Sequence, residues 1–148
     1  MAGAVIFFVE GQPQGKARPR FTRTGHPFTP KKTVVYEERI RDRFLEANGK
    51  KLPADCYVSI SIRAVFEIPK SYTKQRKADC ASGIERPAKK PDADNITKAV
   101  LDALNGVAYD DDKQVTSVRC TKWYTNSVSK LGLLERPGLV ISVIEDKI

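Results

Sequence analysis

The sequence predicts an α+β domain over residues 1 to 148, with one mixed or antiparallel β-sheet and helices packed mainly on one face. Three observations carry this expectation. Short apolar runs and period-two alternations recur at the start, the middle and the end of the chain, where they read as strands. Segments with apolar residues near helical period lie between them. A hydrophobic fraction of 41% in 148 residues supplies one core, able to bury roughly two-thirds of the unfolded surface.

Taken in order, Ala4 to Val9 is an apolar run with two Phe, stopped by Gly11-Gln12-Pro13. Residues 11 to 30 hold four Pro and three Gly and read as a basic loop too long to be an idle connection. From Thr33 to Asn48, Val34, Val35, Ile40, Phe44 and Leu45 alternate with charges near helical period, and Gly49 is the expected stop. Residues 57 to 66 alternate as a half-buried strand does. Residues 70 to 83 have the composition of a basic helix, and Gly83 to Pro91 reads as loop. Asp94 to Leu104 is a helix with Asp94 as its N-cap, a core face of Ile96, Val100, Ala103 and Leu104, and a stop at Asn105-Gly106. Gln114 to Tyr124 and Leu139 to Ile144 are two closing strands, joined by a polar connection around Asn126 to Gly138.

No apolar run approaches the roughly 20 residues that a membrane helix needs. The start, MAGAVIFFVEGQ, lacks a basic n-region and reads as a strand rather than a signal peptide. Cys56, Cys80 and Cys120 are odd in number and form no CxxC pair, so reduced structural thiols in a cytoplasmic protein are expected rather than zinc ligands or disulfides.

Charge points to a function. The net charge is +8, and such a field attracts polyanions. Gly11 to Tyr36 contains no acid, while Lys16, Arg18, Arg20, Arg23, Lys31 and Lys32 are all basic. Lys70, Lys74, Arg76 and Lys77 make a second basic stretch, and Arg86, Lys89 and Lys90 a third. Against this background Asp92, Asp94, Asp102, Asp110, Asp111 and Asp112 gather a third of the 18 acids into 21 residues. A basic protein with one acidic focus suits a metal-dependent nuclease, whose cations hold phosphates and whose acids hold the metal.

Asp92 and Asp94, at DxD spacing, can converge on one hard cation, and magnesium completes its octahedron with water and phosphate oxygens. The Asp110 to Asp112 run precedes a strand and is expected to fold back beside the first pair. Without a cation, such clustered acids repel and raise one another's pKa values. Asp94, Lys98 and Asp102 share one helix face at i,i+4 spacing, which is also the pattern of plain surface salt bridges. His26 and the Trp123-Tyr124 pair read as loop and strand packing.

The segment KPDADNITKAVLDALNGVAYDDDKQV closely resembles the motif block of RusA-type Holliday-junction resolvases. GQPQGKARPRFTRTGHPFTPKKTVVYEE is similar to the N-terminal part of the phage-type members, so the likeness spans roughly residues 5 to 124. The resemblance implies a magnesium-dependent endodeoxyribonuclease, with manganese as a substitute, that nicks four-way DNA junctions symmetrically as a homodimer. It implies catalytic acids at Asp92, Asp94 and Asp112, Asp111 as an auxiliary metal ligand, and Lys98 as a lysine that stabilises transition-state charge. Three consecutive Asp stand where two are usual, which leaves the register among Asp110, Asp111 and Asp112 open. Lys16, Arg18, Arg20, Arg23, Lys89 and Lys90 are the expected DNA contacts. A nuclease acting on flaps and a non-catalytic junction-binding module are the alternatives. The first differs only in how DNA shape is read; the second would bind equally well in EDTA and never cut.

Overall fold

The computed structural model describes residues 3–126 and 135–146. Most of the polar connection expected between Asn126 and Gly138 lies outside the described residues. Strand β1 (Ala4–Glu10) leads into the basic loop, which carries a two-residue ladder, β2 (Arg20–Phe21) against β3 (Pro27–Phe28). Helix α1 (Lys31–Glu46), strand β4 (Tyr57–Phe66), helix α2 (Lys74–Ser82), helix α3 (Ala93–Leu104), a 3₁₀ turn (Asp112–Gln114) and strands β5 (Val115–Tyr124) and β6 (Gly138–Asp146) follow.

The main sheet runs β1-β6-β4-β5 and is mixed, as the sequence suggested. β6 is antiparallel to both β1 and β4, while β4 and β5 are parallel. A parallel pair needs a crossover, and α2 and α3 lie in it. Strand alternation sorts the side chains. Phe7 and Val9 of β1, Ile60, Ile62 and Ala64 of β4, and Leu139, Ile141 and Val143 of β6 face the helices and are buried. The other face presents Ile6, Ser61, Ser142 and Arg119 in one row across the four strands, with Ile6 68% exposed.

α3 packs as expected: Ile96, Val100, Ala103 and Leu104 are buried, joined by Ala99. α1 buries a different stripe from the one the apolar pattern suggested. Thr33, Tyr36, Ile40 and Phe44 face inward, whereas Val34, Val35 and Leu45 are exposed. Counting back from Ile40 and Phe44 by three or four residues reaches Tyr36 and Thr33, so helical geometry leaves the two valines outside. Asn48, at φ 63°, is the residue that turns the chain after α1. Gly49 follows because a Cβ there would meet the Phe44 ring and carbonyl at 2.6 Å. The basic helix is shorter than expected: Thr73 caps it by accepting from the Arg76 N–H, and Gly83, at φ 85°, ends it. No disulfide joins any of the three cysteines.

Candidate active site

The N-cap of α3 is Asp92, not Asp94. Its Oδ1 accepts from the Asn95 N–H at 2.9 Å, and Asp94 sits in the first turn. The shift follows from the backbone: Asp92 is extended, at φ −77° and ψ 164°, as a cap must be, and Ala93 is already helical. Both carboxylates are exposed at the positive end of the helix dipole, and the Asp92 oxygen not used in capping is available to a further partner.

Two elements hold this corner in place. The first is the segment before α3. The Lys122 ammonium of β5 donates to the Lys89 carbonyl, and Arg86 Nε donates back to the Lys122 carbonyl at 2.9 Å. The Arg86 guanidinium also lies 3.8 Å from the centre of the Trp123 ring. These reciprocal bonds strap the arm bearing Asp92 to the end of β5. Partial burial lowers the Lys122 pKa, and the charge of Asp92 opposes that shift, which places Lys122 in the field of this acid.

The second element is the basic loop. Gly15 lies so close to α3 that a Cβ there would meet Asn95 Nδ2 at 2.2 Å, and the Lys16 N–H donates to the Asn95 carbonyl at 3.3 Å. The Gln14 N–H donates to the Tyr36 hydroxyl at 3.3 Å. The Lys16 ammonium is 2.6 Å from Glu37 and 3.3 Å from Asp102. Burial acts to lower its pKa, but the hydrogen bond and charge of Glu37, with those of Asp102, more than offset it and raise it. Lys16 therefore ties the loop to both α1 and α3, with its charge compensated inside the protein.

Between loop and helix opens a groove of about 940 Å³. Arg18, Arg20, Lys32 and Lys90 line it together with Asp92 and Asp94. With Lys16, which also lines it, two carboxylates thus share a wall with five cations, four of them among the expected DNA contacts. Arg23 lies outside, exposed in the β2–β3 turn, and the Lys89 ammonium lies 5.6 Å from the centre of the Tyr124 ring. Lys98 is exposed and makes no ion pair among the described residues, so the Asp94–Lys98–Asp102 stripe does not form as surface salt bridges. Asp102 pairs with Lys16 instead.

The second acidic run lies at the other end of α3. Gln114 organises it. Its Oε1 accepts from the Asp110 and Asp111 N–H groups at 2.8 and 3.2 Å, and its Nε2 donates to the Pro53 and Cys56 carbonyls at 2.8 and 3.2 Å. Asp111 caps the 3₁₀ turn, and the Lys113 N–H on its carboxylate, helped by a bond to Asp112, lowers its pKa. Asp112 is raised, first by its hydrogen bond with Asp111 and further by burial and the charges of Asp111 and Asp102. Lys51 pairs with Asp110 at 3.1 Å.

The run lies within reach of the charge of Asp102, more than two helical turns beyond Asp94 on α3. Within one chain the run does not fold back beside the DxD pair, and the described residues contain no cluster of three or more potential metal ligands. Sequence reading placed Lys32 in the basic stretch but not among the DNA contacts, and it missed the roles of Lys122 and Gln114. The position of Lys122 on the helix-facing row of β5, between Cys120 and Tyr124, was the signal available for it.

Comparison with known proteins adds to this geometry. The family model for endodeoxyribonuclease RusA matches residues 10–132. The uncharacterized protein YqaN of Bacillus subtilis (strain 168) is 32% identical over 126 residues, covering 82% of this chain and 88% of the relative. No helix among the described residues is long and apolar enough to cross a membrane. With a groove that brings several cations to an acid pair, and with a family match over most of its length, this chain belongs to the RusA endodeoxyribonuclease family.

Proposed function

We propose that the protein is a magnesium-dependent endonuclease that resolves four-way DNA junctions by paired nicks, working as a homodimer. The observation that carries this reading is the groove in which Asp92 and Asp94 face Arg18, Arg20, Lys32 and Lys90. The cations bind the backbone on either side of the scissile phosphate, and the acids hold the metal beside it. The donor chemistry suits magnesium: exposed carboxylate oxygens, no thiolate or imidazole, and open space for water and phosphate. When bound, the ion polarises the phosphate and lowers the pKa of an attacking water. Lys98, one turn beyond Asp94 and in no ion pair among the described residues, supplies a point charge for the developing negative charge.

Two carboxylates from one chain form an incomplete site. Asp111 and Asp112 lie at the far end of the same helix, so a two-fold pairing that sets two α3 helices antiparallel would bring the DxD pair of one subunit to the acidic run of the other. Each dimer would then hold two composite sites, one for each nicked strand.

Mixed dimers test this. Asp92→Asn alone and Asp111→Asn/Asp112→Asn alone should both be inactive on a four-way junction with magnesium. A co-expressed mixed dimer contains one intact composite site and should nick one strand only. Failure of the mixture to cut, with wild type active, would place each complete site within a single chain. A wild-type preference for flaps over four-way junctions would overturn the substrate assignment.

A further inference from the structure

The β2–β3 hairpin is not used by the groove chemistry beyond Arg20. Every residue from Arg18 to Thr29 is exposed, and the turn is held from within by the Thr22 N–H on the His26 carbonyl and the Gly25 N–H on the Thr22 carbonyl, both at 2.9 Å. Its two faces differ. Arg20 and Phe28 are paired across the ladder and share one face, and Arg20 lines the groove, so that face looks onto the groove. Phe21 and Pro27 are the other pair and point the opposite way by strand alternation. Phe21 is 69% exposed, a large ring with most of its surface uncovered.

A single exposed aromatic is ordinary on a protein surface. This one sits within a segment, Gly11 to Tyr36, that carries six cations and no acid. A second copy of the same arm would be repelled, whereas a polyanion is drawn to it. Among polyanions, an interior base pair of linear duplex is already stacked on both sides and offers no free face to a ring. A branch point offers one, because stacking is interrupted there.

We propose that the β2–β3 hairpin is a pin seated between two arms of branched DNA, with Arg20 and Phe28 toward the arm in the groove and Phe21 stacked on a base at the branch point. This rests on the nuclease reading and deepens it, because it assigns the discrimination of branched from linear DNA to a named side chain. A linear duplex lying in the groove covers one face of the hairpin; a branched substrate covers both.

The experiment compares full-length wild type, Phe21→Ala and Phe21→Trp in EDTA, so that binding is read without cleavage. The probes are a four-way junction with 2-aminopurine at the branch point and a linear duplex of the same sequence. Phe21→Ala should lose about tenfold in junction affinity, the scale of removing one base-stacking ring, and less than twofold on the duplex. It should also lose the 2-aminopurine fluorescence change that wild type produces, while Phe21→Trp keeps both. Equal losses on the two probes, or no loss on either, would overturn the pin. A fall in sedimentation mass for Phe21→Ala would show that the ring meets protein instead, which also overturns it. Wild type that binds junction and duplex equally and cuts neither with magnesium would refute the nuclease reading itself, a result separable from loss of the pin alone.

Discussion

Gln114 is 7% exposed, and both ends of its amide are fully used, so its replacement tests how the second acidic run is held. Gln114→Ala removes two acceptor and two donor bonds. At about 1 kcal/mol net for each bond, less where water reaches the Asp111 end, the cost is about 2–4 kcal/mol. For a chain of this size that lowers Tm by roughly 5–14 °C. Gln114→Glu separates the two halves of the network. Its oxygens can still accept from the Asp110 and Asp111 N–H groups, but the donor to Pro53 and Cys56 is lost and a carboxylate faces two carbonyls. Burial, those carbonyls and the nearby Asp111 and Asp112 all raise the folded-state pKa of the new carboxyl above its unfolded value. Protonation therefore favours the fold: the variant is least stable relative to wild type at pH 8 and recovers as pH falls toward the unfolded carboxyl range near 4. Thermal unfolding followed by circular dichroism at pH 5 and pH 8 measures both effects. If both variants melt within 1 °C of wild type at pH 8, taken as roughly the error of one measurement against the scale above, Gln114 does not anchor the run.

Three further outcomes are expected. Lys98→Ala should keep junction affinity but cut roughly 10²–10³ times more slowly under single-turnover conditions, and Lys98→Arg should not restore the rate; cleavage within about threefold of wild type would refute a catalytic lysine. Replacing Arg18 and Arg20 together by Ala should flatten the slope of log affinity against log salt by about 2, one unit for each phosphate no longer neutralised, and an unchanged slope would remove both from the DNA. Glu10 has its pKa lowered from 4.5 to about 2, chiefly by its hydrogen bonds to Arg43 at 2.7 and 3.0 Å. The stabilisation from that pair is complete above pH 4.5 and lost as pH falls toward 2, so Glu10→Gln should melt below wild type at neutral pH, with the gap closing in acid. A gap that is constant with pH would show that the ion pair is not its source.

Most elements are legible in local sequence pattern, the β2–β3 ladder inside the expected loop being the exception. Period-two alternation in residues 57 to 66 and the apolar stripe of Ile96, Val100, Ala103 and Leu104 are local patterns, and local patterns survive into the fold. The DxD pair and the acid-free stretch from Gly11 to Tyr36 are likewise written in consecutive residues, and they pointed to acids and cations meeting around a phosphate. Their arrangement was decided only by tertiary structure. Whether Asp94 or Asp92 caps α3 depends on where the chain leaves the extended arm, which spacing alone leaves open by a residue or two. The ion partners of Lys16 come from α1 and α3, 21 and 86 positions away, and no local rule selects them. The same holds for Lys122, which reaches the acid corner because β5 runs parallel to β4 and ends beside the N-terminus of α3. The separation of Asp92 from Asp112 has the simplest cause. A twelve-residue helix is rigid, and the chain beyond it doubles back only as far as Leu101, whose carbonyl accepts from the Tyr109 hydroxyl, before the 3₁₀ turn and β5.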